Sequence, residues 1–244
     1  MRFAPAVVAI AAAAVLPPPG SAVAEDEPLA EMRPPTTELE LRMFARGLVD
    51  VRAYDPTIVC QLKYTDPANF TGEDMYGEVD QCFLLDEAAR RLAVAHDELK
   101  KERPDLHFVV ADGLRPREVQ RRMWAIVRGT PQQPYVANPD PGSMHNHGAA
   151  VDLTIADEDG CRLDMGTPID HFGPLAQPRL ERHYLETGEL TPEQVANRLL
   201  LRTAMTRAGF RVLQIEWWHF NAWDTTYVRM HFPIIESFGL QPGP

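Results

Sequence analysis

Two stretches of the chain carry residue types that could do chemistry together. The first is Ser143-Met144-His145-Asn146-His147-Gly148-Ala149-Ala150-Val151-Asp152, with the pattern S-x-H-x-x-G-x-A-x-D. The second is Glu216-Trp217-Trp218-His219, far downstream. Two histidines and an aspartate suit a catalytic zinc centre, which takes three protein ligands and leaves a fourth position open. His145, Asp152 and His219 are the candidate ligands, and Glu216 is the spare carboxylate that would work on water at the open position. His147 competes with His145; the S-x-H-x-x-G spacing favours His145. The chain has no helical H-E-x-x-H pair and no Cys-x-x-Cys, which excludes the common alternatives.

Strand parity constrains how these residues meet. Successive side chains on a strand point to opposite faces. His145 is an odd number of residues from Asp152, so it must sit in a loop that folds back on the strand. Glu216 and His219 also differ by an odd number, so their strand must bulge or end near Trp217-Trp218. Trp218 shares the side of Glu216 and would supply an apolar wall.

The elements that must position them follow from periodicity. Apolar residues recur at helical spacing over 84–102, and Pro104 ends that helix. His107–Ala111 reads as a strand delivering Asp112-Gly113-Leu114-Arg115-Pro116. A second helix covers 117–128, with Val119, Met123, Ile126 and Val127 inward. Ala149–Ala156 is the central strand. A third helix covers 191–208: Thr191 caps it, Gln194 completes the capping box and Gly209 follows its end. Phe210–Phe220 reads as a closing strand, Leu48–Val51 as the start of another. Residues 157–188 read as a long, mostly irregular binding loop, and 25–37 as a mobile tail. The expectation is an α+β fold, a small mostly antiparallel sheet flanked by helices, with zinc in a central cleft.

Residues 1–24 read as a cleaved export signal: Arg2, an apolar run from Ala6 to Leu16, and Ala22-Val23-Ala24 as the cleavage site. The remainder, 25–244, reads as one domain of an exported protein, periplasmic or secreted. A net charge of −11 without a basic cluster argues against nucleic acid, and no other stretch suggests a stable membrane anchor. Of the three cysteines, Cys60 and Cys82 are the preferred disulfide pair, leaving Cys161 over.

Further motifs accompany the first two: Asn69-Phe70-Thr71-Gly72, Asp112-Gly113-Leu114-Arg115-Pro116 and Met165-Gly166-Thr167-Pro168-Ile169-Asp170. Together, over Tyr64 to Phe232, the chain resembles the D-alanyl-D-alanine dipeptidases, the zinc peptidases that include the vancomycin-resistance dipeptidase. That resemblance implies one zinc per chain on His145, Asp152 and His219. It implies Glu216 as acid–base, Arg115 as stabiliser of the transition state and Asp170 as holder of the substrate ammonium. Ser143, Tyr64 and Tyr76 fall at pocket-lining positions. The plain structural alternatives are an ion pair with Asp112 for Arg115 and a loop cap for Asp170. The chain departs from the family pattern at Leu114 and Phe220, where tyrosine is frequent, and in Cys60 and Cys82. The implied activity is zinc-dependent hydrolysis of the D-Ala-D-Ala dipeptide in cell-wall turnover. The alternatives are a D,D-carboxypeptidase acting on peptidoglycan stem peptides, which needs an open cleft, and a non-catalytic zinc-bearing binding module. Asp170 and the 157–188 loop favour a closed cleft; Glu216 with Arg115 speaks against the binding module.

Overall fold

A computed structural model describes residues 31–239. The expected export signal lies outside them. The order is α1 (Glu38–Phe44), β1 (Leu48–Asp50), β2 (Val59–Cys60), β3 (Phe83–Leu85), α2 (Asp86–Glu102), β4 (Leu106–Asp112), α3 (Arg117–Val127), β5 (Ala150–Asp157), α4 (Glu181–Thr187), α5 (Pro192–Arg207), β6 (Arg211–Val212), β7 (His219–Asn221) and α6 (Thr225–His231). The strands form a five-stranded sheet, β2-β4-β5-β7-β6, and a separate pair, β1-β3. Only β2 and β4 run parallel; the other pairings are antiparallel. The fold is therefore α+β with a mostly antiparallel sheet.

β5 is central because it can be buried on both faces. From Ala150 to Ala156 every residue is buried, and the run is apolar apart from Asp152 and Thr154. α2 packs on β4 and on α5, offering Ala88, Ala89, Leu92, Ala95 and Leu99 at helical spacing. α5 starts as its sequence predicts: the Thr191 side chain accepts from the Gln194 backbone N–H, and Gln194 answers the Thr191 N–H.

Several expectations need correction. Thr37 ends no tail: it caps α1 through a box with Glu40, a Thr-x-x-Glu signal hidden among prolines and acids. Phe210–Phe220 is a hairpin of two short strands, with Arg211 opposite Asn221 and Val212 opposite Phe220. On α3, Ile126 is exposed and Gln120 is buried in its stead, because Gln120 bonds to Arg115 and to the Ala137 carbonyl. The 157–188 segment ends in α4 after two short 3₁₀ turns. Cys60 and Cys82 are neighbours but remain free thiols. No helix among the described residues is long and apolar enough to cross a membrane.

Candidate active site

The strand register builds the first half of the site. Asp152 on β5 lies directly across from His219 on β7, a pairing that brings Cβ atoms to about 5 Å. His145 arrives from a 3₁₀ turn, Met144–His147, that precedes β5 and resolves the parity problem. Ser143 caps this turn by accepting from the His145 N–H, while Asn146 Oδ1 accepts from the Ser143 N–H at 2.7 Å. Gly148 ends the turn in the left-handed region at φ +68°, where a Cβ would stand 2.4 Å from Leu48 Cδ2.

His145 Nε2 lies 3.1 Å from His219 Nδ1, and Asp152 lies 3.4 Å and 3.0 Å from those two nitrogens. The outer ring nitrogens settle the tautomers. His145 Nδ1 faces the Gly113 carbonyl at 2.7 Å and His219 Nε2 faces Asn221 Oδ1 at 2.9 Å. Both oxygens can only accept, so both outer nitrogens donate and the inner ones carry lone pairs. Two lone pairs and a carboxylate then converge, and such a cluster calls for a cation between them. The donor set suits a catalytic divalent metal, with carbonyl and amide partners that orient each imidazole. The three ligand atoms lie within 4.8 Å of one another, and among the described residues this is the group of that kind. His147 is turned away: its Nδ1 faces the Phe232 and Pro233 carbonyls.

Glu216 stands in the turn between β6 and β7, its Oε2 3.9 Å from His219 Nδ1, close to the ligand group but outside it. Burial pushes its carboxyl up to about 7. Trp218 lines the cavity beside it, whereas Trp217 points elsewhere and donates Nε1–H to Thr167 Oγ1. Arg115 sits just past a bulge at the end of β4. It donates Nε–H and Nη2–H to Asp112 Oδ2 at 2.8 and 2.5 Å, and Nη1–H to Gln120. The ion pair with Asp112 is thus formed, yet Arg115 still faces the cavity, with Nη2 3.6 Å from Asp152.

Asp170 is the one non-glycine residue with positive φ among those described, at +65°. An aspartate tolerates this region better than most residues, and such outliers cluster at functional sites. Its Oδ2 accepts from the Tyr64 hydroxyl at 3.0 Å, and burial followed by the Asp152 charge pushes its carboxyl up to about 6. Ser143, Tyr64 and Asp170 all line the cavity, which has a volume of about 280 Å³. Tyr76 does not: its hydroxyl donates to Asp112 Oδ1 at 2.6 Å, one layer behind Arg115. A larger groove of about 640 Å³ runs past Lys63, Glu78 and Arg162 and contains none of the ligand group. Sequence reasoning overlooked Gln120 and Arg229. The first carries no motif signal, and the second sits on α6 outside every motif.

A family model described as D-ala-D-ala dipeptidase matches residues 44–237. The chain belongs to this family of metallopeptidases. Among its relatives, the D-alanyl-D-alanine dipeptidase of Escherichia coli K12 is 34% identical over 174 residues, covering 71% of this chain and 83% of the relative. The protein of the same name from Enterococcus faecium is 27% identical over 70% of this chain and 88% of its own. That of Synechocystis is 29% identical over 67% of each. Family membership makes this chain a metal-dependent peptidase, and the converging His145, Asp152 and His219 are the candidate ligand set for its metal among the described residues.

Proposed function

We propose that this protein hydrolyses the D-Ala-D-Ala dipeptide with a zinc ion held by His145, Asp152 and His219. The observation that carries the reading is Glu216: a carboxylate only 12% exposed and raised to about 7, beside the ligand group and in one cavity with Arg115 and Asp170. A zinc ion there supplies a Lewis acid that brings the pKa of water from 15.7 toward about 7. Glu216 takes the proton of the attacking water and returns it to the leaving amine as the C–N bond breaks. Arg115, held rigid by Asp112 and Gln120, presents its guanidinium to the oxygen that becomes negative. Removing one such donor typically costs about 3–4 kcal/mol of barrier. Asp170 and Tyr64 receive the free ammonium of the substrate, so an N-acyl group would leave the half-buried Asp170 carboxylate unpaired.

The biological setting belongs to the same proposal. The apolar run Ala6–Leu16 and the small residues before Glu25 support export to the periplasm or medium, where cell-wall dipeptide is met. The test is purified mature protein offered D-Ala-D-Ala, L-Ala-L-Ala and a pentapeptide ending in D-Ala-D-Ala. Preference for the first supports the reading; faster cleavage of the pentapeptide would turn it into a D,D-carboxypeptidase. Sequencing the mature N-terminus in an extracellular fraction tests the export.

A further inference from the structure

A free dipeptide has two charged ends, and Asp170 with Tyr64 answers only the ammonium. The carboxylate needs a cation, and the cavity is otherwise hostile to it, since Asp152, Asp170 and Glu216 all line the walls. Two guanidinium groups are found there, Arg115 and Arg229. Arg115 is held by Asp112 and Gln120, and the N–H groups it still offers the cavity are those assigned to the oxygen that becomes negative. Among the described residues no carboxylate pairs with Arg229; its Nη2 approaches the Gly142 carbonyl at 3.4 Å, a weak contact. An unpaired guanidinium at a substrate cavity is a free anion receptor.

Its neighbours fit that use. Arg229 and Thr225 lie one turn apart on α6, and both line the cavity. α6 packs against the turn that carries His145, and Gly142 immediately precedes Ser143. The Ser143 oxygen accepts from the His145 N–H, which leaves its own hydroxyl hydrogen to donate inward. Ser143 and Arg229 therefore bring donors to the wall beside His145, while Asp170 and Tyr64 furnish the acid elsewhere in the cavity.

Resting on the dipeptidase reading, we propose that Arg229 is a specificity-determining residue that binds the carboxylate of the substrate's C-terminal residue. This carboxylate does not react, so the contact is the same in the ground state and the transition state and acts on KM rather than kcat. Arg229 is exposed, so the attraction weakens with salt.

The test compares wild type, Arg229→Ala and Arg229→Lys on D-Ala-D-Ala and on its C-terminal amide, at low and high salt. The amide is measured as substrate or, where turnover is slow, as competitive inhibitor. Losing a hydrogen bond to a charged group should raise KM of Arg229→Ala for the dipeptide about 10- to 100-fold, with kcat nearly unchanged. Affinity for the amide should hardly move, Arg229→Lys should recover part of the loss, and the salt dependence of KM should flatten in Arg229→Ala. An equal loss on dipeptide and amide, or no loss on either, overturns the assignment while leaving the dipeptidase reading intact. Wild-type protein that leaves D-Ala-D-Ala uncleaved overturns both.

Discussion

The wall of the cavity that holds the ligand group and the wall that holds Asp170 are built by different means. Asp152 and His219 are fixed by backbone pairing of β5 with β7, which the Leu153 N–H extends to the Trp218 carbonyl. Asp170 lies in a segment without regular pairing, and its order comes from side chains. Arg198, buried in α5, donates to the Met165 carbonyl at 2.7 Å and the Leu175 carbonyl at 3.1 Å, on either side of Asp170. Trp217 joins the two walls: Nε1–H bonds to Thr167 and its backbone N–H to the Ala176 carbonyl. The geometry of Asp152 and His219 thus rests on backbone pairing, and the segment around Asp170 mainly on side-chain bonds, each removable by one substitution.

The largest effects should come from the wall that holds the ligand group. His145→Ala should lose the metal, falling from about one ion per chain toward none by elemental analysis, with activity abolished. His147→Ala should retain the metal. The reverse pattern would overturn the reading that the His147 ring is turned away. Next comes Glu216→Gln, which keeps the shape but cannot accept a proton. It should bind metal normally and lose about 10²–10⁴-fold in kcat. Loss of metal in a folded variant would make Glu216 a ligand.

The loop-mounted wall should answer in substrate recognition. N-acetyl-D-Ala-D-Ala should be cleaved about 10²–10³-fold less efficiently than the free dipeptide, because its missing ammonium strands Asp170. Comparable rates would open that end of the cleft. Arg198→Met leaves the buried Met165 carbonyl and the half-buried Leu175 carbonyl without their donor and should cost about 2–4 kcal/mol in denaturant unfolding. In the folded variant KM should rise with metal content unchanged; metal loss in step with KM would show the walls inseparable. The smallest effect is on pH. Asp170 and Glu216 must both be ionised to act, and burial places them at about 6 and about 7. A bound cation draws both downward, so kcat/KM should fall with acidification somewhere below about pH 7. Asp170→Asn should leave a shallower acid limb.

What could be read in the sequence was local or periodic. The spacing of His145 and Asp152 forced the histidine off the strand, and the odd interval between Glu216 and His219 required the break now seen between β6 and β7. Thr191, Gln194 and Gly209 marked the ends of α5 through capping chemistry confined to neighbouring residues. Tertiary structure alone decided the rest, because each of these features depended on partners distant in sequence. The Phe232 and Pro233 carbonyls turned His147 away, and Gly113 with Asn221 set the tautomers of the ligating rings. Tyr76 lies behind Arg115 because Asp112 is there to accept its hydrogen bond. Arg229 gained its place at the cavity only when α6 folded back against the His145 turn. Motif spacing records which groups share a chain; only packing records which lone pairs, charges and donors end up facing one another.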